Sequence, residues 1–464
     1  IEVQHLQELT RICGGAHVHT SEEELIRCAS DHTEDLHYRA EVVITPETVQ
    51  QISEVMRYCH ENNIPVTPRG AGTGLSGGAL PVVGGVLLDM RRFNKILHID
   101  KQNFQVTTEP GVITQVLQET LLAEGLFYPP DPASKGSCFI GGNVAENSGG
   151  PRAVKYGVVK DYVLNMEVVL PTGEVMWTGA NVLKNATGYN LTQLIVGSEG
   201  TLAIITKIVL RLIPAVQHNM LLLVPFRSAV QACEAVNAIF LAGYTPSALE
   251  FMERDAIEWS MRYVQSAAID LPADVQAHLL IEVDGNNTDQ LYRDAEAISD
   301  IVQRYDVGEV LFADSHEQKQ ILWTLRRKVG EAVKSNSIYK EEDTVVPRAK
   351  LPQLLTIIKQ LGVEYGFHSV CYGHAGDGNL HVNIVKAGMS DEDWNNRLPE
   401  GIRRLFTEVV AMGGTISGEH GIGLVQKRYL DIAFGDTAMR LMRQIKQIFD
   451  PKGILNPGKI FPEN

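Results

Sequence analysis

A chain of 464 residues is long enough for two or more domains. Its 44% apolar and 21% charged content is that of a water-soluble globular protein. The net charge of −15 argues against nucleic acid or an anionic membrane as partner, and an anionic substrate would need local positive charge to be held.

Residues 1–36 mix short helical patterns and carry no clear chemistry. AEVVITP, ending at Pro46, predicts a short strand. A helix is expected from Pro46, with Thr45 as its N-cap. IPVTPRG predicts a second strand, GAGTGLSGGA a glycine loop, and residues 84–90 a third strand. FQVTTE at 104–109 reads as a strand, and VITQVLQETLLAEG as a helix ending on Gly125. Residues 126–150 are loop-rich, and strands are expected at 163–178 and 201–213. The alternation predicts an α+β or α/β domain closed by Pro214.

Beyond residue 218 the spacing predicts strands at 220–224, 248–252, 278–283 and 309–312. Helices are expected at 228–242, 289–304, 316–336 and 351–365. Such split βαβ units make an antiparallel, ferredoxin-like sheet carrying helices. A helix over 438–449 and a turn-rich DPKGILNPGKIF end the chain. The expected divisions are 1–215 (core 38–215), 216–425, and 426–464 packing back on the first domain.

The six cysteines form no CxxC pair, which suggests reduced thiols in a reducing, cytoplasmic compartment. No apolar run reaches the roughly 18 residues of a membrane span. The chain begins at Ile1 without a basic apolar leader, and an upstream targeting segment already removed, mitochondrial for example, is compatible with that start.

Three stretches carry a cofactor signal. PRGAGTGLSGGA at 68–79 lies between two strands, and its missing Cβ atoms let backbone N–H groups converge on an anion. Thr73 and Ser76 add hydroxyls and Arg69 a charge, as a diphosphate cradle needs. The loop is neither a P-loop, since GK[ST] is missing, nor a Rossmann turn, since a strand follows it. PPDPASKGSCFIGGNVAENSGGPRAVKYG at 129–157 has small residues that let backbone approach a flat ring, and GSEGTLAIIT at 197–206 leads into an apolar strand. The bland reading of the first loop is a flexible glycine run.

Together these stretches resemble the FAD-binding domain of the vanillyl-alcohol oxidase and p-cresol methylhydroxylase type, over about residues 38–215. The resemblance implies that Arg69, Gly70, Ala71, Gly72, Thr73, Gly74, Leu75 and Ser76 hold the FAD diphosphate. Pro132, Gly136, Ser137, Gly141, Asn143, Ala145, Asn147, Ser148 and Gly150 would line the flavin, Gly200 and Ile205 the remainder, with Asn456 added from the closing segment. Some relatives attach FAD through a histidine near the first loop; this loop has none, so dissociable FAD is expected.

A second signal lies at YGHAGDGNLHVNI, residues 372–384. A four-residue turn at 376–379 would make a hairpin that sets His374 opposite His381, with Cβ atoms about 5 Å apart. Asn383 would fall on the same face. Two neighbouring imidazoles make half of a metal site; the bland alternative is a turn with two surface histidines. In GGTISGEHGIG, Glu419 and His420 sit between glycines, and adjacent side chains of an extended segment point opposite ways. One could ligate a metal while the other faces a substrate, although a surface turn with a charged pair is the plainer explanation.

HAGDGNLH, SGEHGIG and DPKGILNPGK together resemble the FAD-linked D-2-hydroxyacid dehydrogenases, which act on D-lactate, glycolate or D-2-hydroxyglutarate. The resemblance implies a divalent metal on His374, His381 and Glu419, zinc first and Mn or Fe as alternatives. It implies His420 as the base, Asn383 as a substrate contact, and Arg326 as the partner of the substrate carboxylate. A helix-surface role for Arg326 is the plainer alternative. Where D-2-hydroxyglutarate enzymes carry a threonine, this chain has Gly330, which favours D-lactate or a similar monocarboxylate. Lys340, Arg348 and Lys350 are the nearby cations that could hold a second carboxylate. Hydride would go to the flavin, and electrons then to a separate acceptor such as an electron-transfer flavoprotein, a quinone or a cytochrome, because no iron–sulfur or haem motif is present. A homodimer is an open option. The rivals are an O₂-using alcohol or lactone oxidase of the same fold and a non-catalytic flavin-binding subunit.

Overall fold

The structure is a computed structural model that describes residues 1–33, 36–265 and 269–463. It divides into two compact units. One comprises Ile1–Ser148, Val158–Ala215 and Glu419–Asn464; the other comprises Gly149–Gly157 and Val216–Gly418. The chain thus re-enters the first unit at Glu419 rather than at the expected residue 426, and 149–157 group with the second unit.

In the first unit, Val18–His19, Val42–Ile44, Val86–Asp89 and Val66–Arg69 form a four-stranded sheet in that order. Its last three strands are parallel. Leu455 extends this sheet by a parallel bridge to Val66. A five-stranded antiparallel sheet runs Ile96–Asp100, Gln105–Thr108, Ile204–Arg211, Val163–Val169 and Val175–Trp177. The first helix after the opening strands is Val49–Asn62, later than expected, capped by the Thr48 hydroxyl accepting from the Gln51 N–H. Thr45 is occupied elsewhere: its N–H donates to the His17 carbonyl at 3.0 Å. Within the stretch expected to be loop, Ile140–Glu146 is helical. Its two glycines hide it from a propensity reading, yet Gly141 is required because a Cβ there would collide with Pro110.

The second unit is built on a seven-stranded sheet. The order is Leu311–Ala313, His218–Phe226, Ala277–Gly285, Ala248–Glu253, His368–Gly373, Asn379–Val385 and Tyr339–Val345. Every pairing is antiparallel, in line with the expected sheet. Helices Arg254–Tyr263, His316–Arg327 and Val329–Asn336 cover one face. They pack Ile257, Leu322, Leu325 and Val333 against Leu221, Met252, Leu280, Val370 and Tyr372. The helix expected over 316–336 is two helices meeting at Lys328. Among the described residues, no helix is long and apolar enough to cross a membrane.

Candidate active site

The hairpin register differs from the expected one. Tyr372, not His374, lies opposite His381, and Val370 lies opposite Asn383. A 3₁₀ turn at Ala375–Asp377 closes the loop, and His374 falls just beyond the strand with φ −86° and ψ 75°. The four-residue turn is ruled out because the His374 carbonyl accepts from both Asp377 and Asn379 N–H groups, which pulls the loop into a helical turn. The imidazoles still meet: their ring centres are 5.3 Å apart with planes at 83°. Both side chains are buried. His381 and Asn383 share one face of their strand, with Asp343 and Glu341 opposite them on the edge strand.

Each histidine turns Nδ1 towards a carboxylate. His374 Nδ1 lies 2.9 Å from both oxygens of Glu250. His381 Nδ1 lies 3.6 Å from Asp343 and 3.7 Å from Glu341. At His374 the carboxylate at Nδ1 holds the proton there and leaves Nε2 as the ligand atom, the arrangement found around metal-bound histidines, whereas the His381 distances are those of an ion pair and not of a hydrogen bond. The donor set therefore suits a divalent metal.

Glu250 is fully buried and also binds Arg326, whose Nη2 is 2.7 Å from Oε2. Burial pushes its carboxyl up, but His374 and Arg326 outweigh that and hold it below the usual carboxylate range. The Arg326 guanidinium lies 5.0 Å from the Tyr372 ring centre and the side chain is buried, which sets aside the plainer helix-surface role. Neither its Nε nor its Nη2 makes a hydrogen bond of good geometry among the described residues, so the Glu250 contact is an ion pair. Asn383 is wholly buried, and neither amide atom makes a hydrogen bond of good geometry among the described residues, although the amide faces the Tyr372 hydroxyl. Leaving such groups unpaired costs about 1–3 kcal/mol each, so a polar partner would stabilise both. Gly330 faces this place too: a Cβ would stand 3.2 Å from the Tyr372 hydroxyl.

The cations considered for a second carboxylate are engaged elsewhere. Lys340 sits over the Trp394 ring, Arg348 binds the Gly376 carbonyl at 2.6 Å, and Lys350 contacts Gln353.

The segment bearing Glu419 and His420 is secured on both sides. Before it, the Gly418 N–H and the Ser417 hydroxyl donate to Asp343 Oδ2 at 2.8 and 3.1 Å. After it, in the first unit, the Ile422 and Gly423 N–H groups donate to the Glu199 oxygens at 2.8 and 2.6 Å. Gly421 has φ +83°, and a Cβ there would collide with Glu146. Burial raises the Glu199 carboxyl to about 7 against those two N–H bonds, and burial with the Glu199 and Asp31 charges pushes Glu146 well above the usual carboxylate range.

The glycine loop leaves room for an anion. Nothing lies within 4 Å of a Cβ built on Gly74 or Gly142. The buried Ser76 Oγ has no hydrogen-bond partner among the described residues. These features fit a diphosphate. Arg69 does not offer its charge to that space: its guanidinium binds the Cys28 and Ser30 carbonyls at 3.3 and 2.9 Å and lies under Gly72. Several expected cofactor contacts also shape backbone. Asn143 donates to Thr114, Asn147 accepts from the Lys160 N–H, and Asn456 donates to the Gly78 and Glu199 carbonyls. Gly200, with φ +66°, packs on Pro68, and Ile205 is in the core.

A domain model described as FAD linked oxidases, C-terminal domain, matches residues 215–460. The FAD binding domain matches residues 40–179. The chain belongs to the FAD-linked oxidases. This FAD-linked oxidase is an FAD-dependent oxidoreductase. It is 40% identical to the D-lactate dehydrogenase of Anaerostipes hadrus over 91% of its length and 90% of the relative's. It is 36% identical to the glycolate oxidase subunit GlcD of Bacillus subtilis over 99% of its length and 97% of the relative's. The solved structure of p-cresol methylhydroxylase with substrate bound superposes with a TM-score of 0.81 at 18% identity, covering 98% of this chain and 96% of that one, and it attests the fold alone. Sequence reasoning missed Glu250, Asp343, Glu199 and Glu146. Glu250 left a trace: it is a carboxylate between Leu249 and Phe251 inside a strand whose other charged residue, Glu253, stands at its end.

Proposed function

We propose that this FAD-linked oxidase oxidises a small D-2-hydroxy monocarboxylate, D-lactate first, to the 2-oxoacid. The observation that carries the reading is the wholly buried Asn383 amide, without a hydrogen bond of good geometry among the described residues, on the strand face of His381, together with an Arg326 Nε in the same condition. The names of the relatives, a D-lactate dehydrogenase and a glycolate oxidase subunit, agree with that substrate class.

In this reading Arg326 pairs with the substrate carboxylate, a task that suits a planar fork. Asn383 hydrogen-bonds the substrate and fixes which face of Cα is presented. His420 takes the proton from the hydroxyl oxygen, as an imidazole can near neutral pH. His374, His381 and Glu419 hold a divalent metal, zinc first, which would supply Lewis acidity at that hydroxyl. The glycine loop holds FAD without a covalent bond, and when bound FAD supplies the two-electron acceptor. Re-oxidation falls to a separate protein or quinone acceptor. With Lys340, Arg348 and Lys350 engaged elsewhere and Glu341 opposite Asn383, a dicarboxylate finds little support.

The test is a panel of D- and L-2-hydroxyacids under anaerobic conditions, following bleaching of the flavin. D-lactate or glycolate should bleach it and L-lactate should not. Bleaching by D-2-hydroxyglutarate alone, or by none of the acids, would overturn the assignment.

A further inference from the structure

We infer that Glu250 is a shared positioning residue, one buried carboxylate that sets both the metal-ligating tautomer of His374 and the direction of Arg326. The inference rests on the metal and substrate roles proposed above for those two residues.

Glu250 occupies the middle of the sheet, opposite Leu280 in the register. Its neighbours Leu249 and Phe251 are fully buried. A carboxylate in such a strand is strongly disfavoured unless both oxygens are engaged. Here both face His374 Nδ1 at the same 2.9 Å, and Oε2 also meets Arg326 at 2.7 Å. An arginine is always a cation, so the oxygens it faces act as acceptors. The proton between Glu250 and His374 then sits on Nδ1, and the imidazole lone pair is on Nε2. The same contact anchors one edge of the guanidinium while the Tyr372 ring supports its plane. A change at Glu250 should therefore reach the metal and the substrate together, although it is assigned to touch neither.

The same strand supplies a control. Glu253 is also buried and pairs with Lys359 at 2.8 Å while accepting from the Cys371 N–H. It serves the sheet, its carboxylate taken by Lys359 and the Cys371 N–H rather than by His374 or Arg326.

Zinc is titrated calorimetrically into metal-stripped, FAD-loaded wild type, Glu250→Gln, Glu250→Asp and Glu253→Gln, and KM for D-lactate is measured for each. Glu250→Gln should weaken zinc binding by roughly 10- to 100-fold and raise KM, with the flavin absorbance retained. Glu250→Asp should fall between it and wild type, and Glu253→Gln should keep the wild-type zinc affinity. Equal zinc affinity in wild type and Glu250→Gln would overturn the role of Glu250 and leave the metal site standing. A wild type that binds no zinc would overturn the metal reading as well. If Glu250→Gln does not fold, ¹⁵N-histidine NMR of the metal-free wild type decides. The resonance absent from His374→Gln should carry its proton on Nδ1, and a proton on Nε2 would refute the inference.

Discussion

The Gly418 N–H donates to Asp343 Oδ2 at 2.8 Å, one peptide bond ahead of Glu419. The same carboxylate takes the Ser417 hydroxyl and the Asn379 amide. Asp343 thus ties the edge strand, the histidine hairpin and the approach to the Glu-His pair to a single anion. Asp343→Ala should release Ser417 and Gly418 and lower zinc affinity by about tenfold or more, with FAD content unchanged. Equilibrium dialysis against a zinc buffer measures this, and an unaltered affinity would separate the segment's anchor from the metal.

Metal removal should stop turnover without removing FAD. Dialysis against a strong chelator is expected to abolish dye-coupled D-lactate oxidation while the flavin spectrum persists, and zinc should restore it. Full activity in metal-free protein would end the metal proposal.

Arg326→Met should raise KM for D-lactate by about 10²-fold, the loss of a buried charge-assisted pair of roughly 3 kcal/mol. His420→Ala should instead lower kcat by about 10²- to 10⁴-fold with zinc affinity retained. Steady-state kinetics distinguish the two, and a KM effect alone at His420 would reassign it to binding.

The Glu146–Glu199 pair predicts a pH dependence of stability. Both carboxyls are raised in the fold, Glu199 from 4.5 to about 7, so the fold favours their protonated forms. The Glu199 contribution is whole below about pH 4.5 and is lost as pH climbs through about 7, and that of Glu146 is lost on the same side, with rising pH. At about 1.4 kcal/mol per pKa unit, the span for Glu199 is on the order of 3 kcal/mol. The Tm of FAD-free protein should fall from about pH 5 to about pH 8, and Glu146→Gln should flatten that slope. Equal slopes in both proteins would count against the pair.

Gly378 has φ +85°, and a Cβ would collide with the Val346 carbonyl. That carbonyl belongs to a residue whose N–H already bonds Gly378 O at 3.1 Å. Gly378→Ala should destabilise by about 2–4 kcal/mol, seen as a lower thermal transition. An unchanged transition would mean the loop can move.

The sequence made the alternating strands, the glycine loops and the two histidines legible, because each has a local pattern: period, missing Cβ, or spacing. It misjudged the hairpin register, since the 3₁₀ turn at 375–377 depends on the His374 carbonyl taking two N–H groups. It could not see that Arg69 is turned away to Cys28 and Ser30, because those residues are some forty positions earlier in the chain. The roles of Glu250, Glu199 and Asp343 were hidden for the same reason: a buried carboxylate is explained only by partners that folding brings to it. The glycines at 421 and 423 were conspicuous in sequence, but not that Glu199 gathers the N–H groups of residues 422 and 423.

The bridge between Val66 and Leu455 has a consequence for biosynthesis. Asn456 and Lys459 brace the Gly78 carbonyl at the end of the glycine loop, and Lys459 also binds that of Leu80. The strand at Val66–Arg69 therefore waits for a partner made far later in the chain. The glycine loop reaches its final form only after translation has passed residue 459, so under the proposed function flavin loading would be a late event.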